Sequence, residues 1–397
     1  MGARTMVRVR RALIGLIAVL LAALACLAVR PAFRDPVTWT PDALYYQARL
    51  LELRGATRAE AFDQTFGGPL SAELRARDPL KTGDPEWVAY NRPFYERRIA
   101  VPAAGAVLYP HAGDRSLLYI SLAGYVASIV ALFGLLLLRF GIPVAASVAV
   151  ATILLPPLRE HSSYPLTDSW GLTLEIAALA AAILALDRGL RWVIPWVGVI
   201  ALLGITRDTS WIPILAVAWC AFRYRTRVTA WLLGSGLAAA LPALLLFEVP
   251  VRNLLALLVN DSGVPDDPSW GFIASHYPSA FVELLRANVG FLRRGEWYTA
   301  AYFVVGVILL FVLVRRRPAR LGTVGTLMRA GVVAGILYVL AAPSFSAFRL
   351  ELVLVPMAAF GLALAVEAVT AAVRARVPER AAHAASRSGA VGSSPHG

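Results

Sequence analysis

Long apolar runs, repeated down the chain and joined by short loops whose charges are nearly all arginine, constrain this sequence more than any other feature. The first run extends from Ala12 to Val29. Later ones occupy 116–138, 142–157, 168–186, 193–206, 209–222, 228–247, 297–314, 329–343 and 350–371. A bilayer core takes about 20 apolar residues of helix. Inside it each backbone N–H and C=O must be bonded within its own helix, because no water is there to serve it. The pattern therefore predicts an all-α, polytopic helical membrane protein with about 10 transmembrane helices. Runs 193–206 and 209–222 are short, and are expected to be tilted, extended or partly broken.

Hydrophobic residues make up 58% of the chain and charged residues only 16%, yet the formal net charge is +13. Arginine supplies almost all of it, since Lys81 is the only lysine. The arginines cluster in short loops: Arg139; Arg188 and Arg191; Arg223, Arg225 and Arg227; Arg315, Arg316, Arg317 and Arg320; Arg374 and Arg376. Arg4, Arg8, Arg10 and Arg11 precede the first run. With ten helices all of these fall on one side, the positive-inside pattern, and both termini are expected in the cytoplasm of a multi-pass cytoplasmic-membrane protein. The basic balance is thus a topology signal, and no nucleic-acid partner is expected. The first run is long for a cleaved signal sequence and reads as a retained helix. Cys26 and Cys220 fall in runs near opposite membrane faces, which argues against a disulfide. No Cys/His spacing of a zinc site occurs.

Two polar segments interrupt the runs, about 30–115 and 248–296, and both are expected outside the membrane. With the helices they form one module, 1–376. Residues 377–397, rich in Ala, Ser, Gly and Pro, read as a disordered cytoplasmic tail. In the first external segment, Trp39–Gly55 reads as a short helix on the membrane surface. Thr40 is its N-cap, Pro41 its first residue and Gly55 its stop, with Leu44, Tyr45, Ala48 and Leu51 as one apolar stripe. Thr57 and Glu60 have capping-box spacing. Ile99–Tyr109 is apolar but too short to span, and is expected to lie in the interface or dip into it. In the second external segment Val251–Val259 reads as interfacial, Asp261–Pro268 as a polar turn, and Pro278–Leu292 as helical.

The ionisable residues near the runs gather toward the outer face: Asp42, Arg97, Arg98, Glu160, His161, Asp168, Arg207, Asp208, Glu248, Arg349 and Glu351. Glu175 lies two turns below Asp168 on the same helix face. A charge at membrane depth costs a few kcal/mol unless paired or wet. Placement toward one leaflet argues against a path through the bilayer and fits a site opening at the outer surface. Each residue also has an ordinary reading. Asp42 could only favour a helix dipole, worth under ~1 kcal/mol. Asp168 could cap the fourth span. Arg207 and Asp208 could be an interfacial pair, Arg349 could snorkel to headgroups, and His161 could be a solvated loop histidine.

Four short elements carry a resemblance. They are Asp42-Ala43-Leu44-Tyr45-Tyr46 leading to Gly55, Tyr164-Pro165-Leu166-Thr167-Asp168, Ile205-Thr206-Arg207-Asp208, and Phe348-Arg349 with Pro356 beyond; Arg97-Arg98-Ile99-Ala100-Val101-Pro102 is a fifth, found in bacterial members. Over residues 10–370 the layout resembles the integral-membrane type C (GT-C) glycosyltransferases. The family's acidic pair in the first loop is here a single Asp42, flanked by Pro41 and Ala43. The resemblance implies a sugar donor linked to polyprenyl phosphate and a glycan, lipid or protein acceptor, in contact with membrane lipids. It implies an inverting hexosyl- or pentosyltransferase, with Asp42 as general base. Arg207, Arg349 and Arg98 would hold the donor phosphate. Tyr45, Tyr46, Asp168, Glu175, Asp208 and His161 would line the cavity. No cofactor is required, and a divalent metal, though compatible, is not indicated. Arginine-for-lysine and alanine-rich usage suggests a high-GC bacterial source. Two other readings share the layout. One is a catalytically silent scaffold in envelope assembly. The other is a transporter or flippase, which would need charges along both halves of a path, and the inner half offers little beyond Glu367.

Overall fold

A computed structural model describes residues 3–389 apart from 78, 80–81, 83, 246–250, 260–263, 265–266, 317 and 342–347. Glu248 and Asp266 lie outside the described residues. Among those described, every regular element is a helix. Six helices are long and apolar enough to cross a membrane, or seven if one bent pair counts as a single span. The expected ten included runs whose helices prove shorter.

Helix α1 (Ala3–Ala28) is the first candidate span. Helix α2 (Pro41–Leu53) begins and ends where the local signals place it. The Thr40 side chain accepts from the Ala43 N–H at 3.3 Å, and Gly55 follows at a φ of +100°. Its environment differs from the expected surface helix. Leu44 and Tyr45 pack against Phe66 and Val88 on one side, while Ala43, Tyr46 and Leu50 pack against Val101 and Leu117 on the other. Gln47 is fully buried and donates to Asp114 at 3.0 Å. The helix is thus wedged inside the protein, with Phe66, Val88, Val101 and Leu117 packed over it. The Thr57–Glu60 capping box forms as its spacing predicts, starting the short helix Arg58–Phe62.

Helix α3 (Pro85–Glu96) crosses α2 and delivers Tyr95, Arg97 and Arg98 to it. Helix α4 (Ala100–Ala112) covers the short apolar stretch and leads through a turn into α5 (Ser116–Leu137). By length and composition Ala100–Leu137 is one apolar helical stretch. However, Gly113 has a φ of +55°, and Leu117 lies so close to Gly105 that an added Cβ there would meet it at 2.7 Å. On a straight helix those residues would be about 18 Å apart. So α4 folds back along the start of α5, and the candidate span is α5.

Helices α6 (Ile142–Ile153) and α7 (Pro156–Ser162) form the bent pair, with 62° between them at Pro156. Helix α8 (Asp168–Arg188) is the central span, packed on α5 and on α9 (Val193–Gly204). Helices α9 and α10 (Trp211–Tyr224) are short, as expected, and α11 (Arg227–Leu245) follows. Helices α12 (Val251–Val259) and α13 (Trp270–Arg293) come next. Helices α14 (Trp297–Arg316) and α15 (Pro318–Ala341) are separate candidate spans. A turn, Leu350–Leu354, then opens the last helix, α16 (Val355–Gly389). Helix α16 packs most extensively on α14 and continues to Gly389, into the stretch the composition reads as a tail. Repeated alanines, the best helix formers, run through that continuation.

Candidate functional site

Asp42 stands in the first turn of α2, where Thr40 and Pro41 set the helix start. Its Oδ1 accepts from the Tyr95 hydroxyl at 2.8 Å and its Oδ2 from Arg349 Nη1 at 2.7 Å. These contacts join α2 to the turn that opens α16. Burial by itself would raise the Asp42 carboxyl. The Arg349 charge and the Tyr95 and Arg349 hydrogen bonds outweigh it and hold the group below the usual carboxylate range.

Arg349 grips Asp168 with two further bonds, Nε to Oδ1 at 2.9 Å and Nη2 to Oδ2 at 3.0 Å, a bidentate fork. Arg207 Nη1 donates to the same Asp168 Oδ1. Asp168 is therefore no N-cap. Thr167 holds that position without a side-chain cap bond, and the Asp168 carboxylate, 1% exposed, is given over to two guanidiniums. The sequence places Asp168 at the helix start correctly, but Coulomb attraction between buried groups decides where its side chain goes. Gly171, one turn on, makes room for the arginine, since a Cβ there would meet Arg207 Cδ at 2.7 Å.

A second cluster adjoins the first. Asp208 Oδ2 accepts from Arg97 Nη2 at 2.5 Å and from Arg98 Nη2 at 2.7 Å, so Asp208 pairs across to α3 rather than with its neighbour Arg207. Arg98 Nη1 donates to the Tyr46 hydroxyl at 2.8 Å, and that hydroxyl lies 3.4 Å from Thr167 Oγ1. Tyr46 thereby links the Asp208 cluster to the start of α8. A backbone bond from the Ala100 N–H to the Ile205 carbonyl, 3.2 Å, locks the same two segments together. At Asp208 too, burial is outweighed by the Arg98 and Arg97 charges, and the carboxyl is held low.

The structure thus brings Asp42, Arg98, Tyr46, Asp168, Arg207, Asp208 and Arg349 into one connected cluster. Four arginines, Arg97 included, face three aspartates, leaving one net positive charge. Tyr45 stacks flat on Tyr95 at 4.4 Å, and its buried hydroxyl has no hydrogen-bond partner among the described residues. Glu175 lies deeper on α8, fully buried, with both carboxyl oxygens likewise unpartnered. It flanks the cluster without joining its hydrogen bonds. His161, on α7, is half-buried and contributes to the field at Asp168. Tyr95 is a partner of Asp42 that the sequence does not single out. Its only signal is its place two residues before the arginine pair.

The accessibility of the three phosphate candidates separates them. The side chains of Arg349 and Arg98 are 20% and 17% exposed, whereas that of Arg207 is 8% exposed. Among the described residues no group of three or more His, Cys, Asp or Glu is arranged to hold a metal ion.

The depressed carboxylates give a pH prediction. Asp42 and Asp208 titrate lower in the folded protein than the ~3.9 of an unfolded aspartate. Their contribution to stability is complete above about pH 4 and is lost as pH falls through the folded values. The melting temperature in detergent is expected to hold level from neutral pH to about 5 and to drop below about 4. Asp208→Asn should flatten that drop. An unchanged drop in this variant would remove Asp208 from the acid-sensitive set.

Comparison with known protein families, curated proteins and solved structures finds no match to this chain.

Proposed function

We propose that this protein is a membrane glycosyltransferase that moves a sugar from a polyprenyl-phosphate donor to an acceptor at the outer face of the cytoplasmic membrane. The observation that carries the reading is the single Arg349 Nη1–Asp42 Oδ2 contact at 2.7 Å, beside the two-bond fork from Arg349 to Asp168. The fork fixes the guanidinium, and the single contact is the exchangeable one. A lipid phosphate arriving at Nη1 would take over that donor and release the Asp42 carboxylate, with Arg98 on the other side of Tyr46 as a second anion contact. The freed carboxylate then takes the acceptor hydroxyl proton as the hydroxyl oxygen bonds to the anomeric carbon. The bond from that carbon to the phosphate oxygen breaks, and polyprenyl phosphate leaves as the anion. Attack opposite the leaving group inverts the anomeric centre. Arg207, bonded to Asp168 through Nη1 and more deeply buried, serves to hold the fork in place.

In this reading the short helices α9 and α10, together with α11, complete about ten crossings, both termini lie in the cytoplasm, and segments 30–115 and 248–296 face outward. The clustering of charges near one end of α8, with only the unpartnered Glu175 between it and the Arg139–Asp187 pair at the far end, supports an interfacial site over a transport path. One observation favours the scaffold reading: Asp42 and Asp168 are already fully neutralised by arginine.

The test is transfer by the purified protein in lipid nanodiscs, offered polyprenyl-phosphate hexoses and pentoses with a membrane glycan fraction as acceptor. Product formation with release of polyprenyl phosphate is the expected result. Tight donor binding without turnover would establish the scaffold instead. Arg349→Lys keeps the charge but loses the fork, and is expected to raise the donor KM about tenfold. An unchanged KM would remove Arg349 from the donor site.

A further inference from the structure

We propose that Asn288, on the external helix α13, is the positioning residue that sets Arg349. Arg349 is the N-cap of the turn Leu350–Leu354 that opens α16, and Phe348 precedes it. Nothing in a turn of this kind fixes an arginine by itself. Phe348 has a φ of +54°, the left-handed region that a bulky residue rarely adopts without outside support. The support comes from α13. Asn288 Oδ1 accepts from the Phe348 N–H at 3.0 Å, and Asn288 Nδ2 donates to Glu351 Oε1 at 2.6 Å. One amide therefore grips the chain on both sides of Arg349. The amide's orientation follows from chemistry, because a backbone N–H can bond only to the oxygen, which leaves the nitrogen for the carboxylate.

The Phe348 ring completes the clamp. It is 8% exposed, lies parallel to Phe303 of α14 at 6.1 Å, and meets Phe291 of α13 at 5.5 Å. Asn288 and Phe291 are three residues apart and so share one face of α13, the face that carries the buried Leu284. Val282, Leu285 and Val289 are exposed on the other side of the helix. Asn288 touches none of the groups proposed to react. It acts on Arg349 through the backbone, and on Asp42 only through Arg349.

Two readouts on full-length protein in nanodiscs test this. Hydrogen exchange followed by mass spectrometry needs no assumption about activity. In Asn288→Ala the amides of 348–354 are expected to exchange about tenfold faster, as for the loss of a hydrogen bond, with the other helices unchanged. Exchange equal to wild type would overturn the proposal. The second readout rests on the phosphate-binding reading of Arg349 and uses farnesyl phosphate as probe. Asn288→Ala is expected to weaken binding about tenfold in the wild-type background and by nothing further in Arg349→Met. Equal losses in both backgrounds would show that Asn288 acts without Arg349, which overturns the proposal. If wild type fails to bind farnesyl phosphate, the donor reading falls while exchange still decides the role of Asn288. Asn288→Asp, which keeps the acceptor for the Phe348 N–H, takes the place of the alanine variant in both assays if that variant does not fold. It is expected to protect residue 348 and to free 351.

Discussion

Asp168→Ala is expected to be among the most destabilising single substitutions in the protein, costing about 3–5 kcal/mol. The carboxylate lies between Arg207 and Arg349 and is 1% exposed. Its removal leaves two guanidiniums facing each other in a place too dry to screen them. The size of the effect comes mostly from that orphaned charge, since a buried pair contributes little net stability once its desolvation is counted. A second substitution separates this account from a capping role. Asp168→Asn combined with Arg207→Met removes one charge of each sign and fills the space beside Gly171 with an apolar stem. The double variant is expected to recover part of the lost melting temperature. A lost N-cap would cost only about 1 kcal/mol and would not respond to Arg207 at all. A small loss with no recovery would return Asp168 to that ordinary role.

The membership of this cluster was legible in the sequence to a useful extent, but its wiring was not. Asp42, Arg98, Asp168, Arg207, Asp208 and Arg349 each drew notice because charges are costly near a bilayer and these lay toward one face. Which charge meets which is decided by tertiary packing. Adjacent in sequence, Arg207 and Asp208 look like a pair, yet each turns to a different helix. Tyr95 and Asn288 are uncharged and sit in no motif, so periodicity and composition pass over them. The same limit applies to the fold. Helix ends with local chemistry, such as Thr40, Pro41 and the Thr57–Glu60 box, were readable to the residue. The burial of α2 on both sides was not, because its polar and apolar positions look like those of a surface helix. Hydropathy also counts apolar length without showing whether a short helix such as α9 or α10 crosses, so it reads about ten spans where six helices among the described residues, or seven with the bent pair, are long and apolar enough. The return of α4 along α5 depends on one residue, Gly113, whose positive φ has no signature beyond the glycine itself.

Asp42→Asn is expected to lower the transfer rate by about a hundredfold to ten-thousandfold, the range supplied by a positioned general base. The substitution is nearly isosteric, and it leaves in place the parts of the site that Asp42 does not build. Asn Oδ1 can still accept from the Tyr95 hydroxyl, and Arg349 keeps its fork on Asp168. What disappears is a group able to take a proton, together with the charge that occupies Arg349 Nη1. Those two losses act in opposite directions on two observables. Without Asp42 as competitor, Nη1 is free for an incoming phosphate, so donor affinity should hold or tighten while single-turnover transfer falls. A collapsed site would lose both, and a residue that only capped α2 would change neither. The asparagine amide nitrogen facing Arg349 is itself mildly unfavourable, since both are donors, and a phosphate accepting from them relieves that contact, which adds to the tightening. Full transfer activity in the asparagine variant would remove Asp42 from the chemistry, and its bond to Arg349 would then be structural.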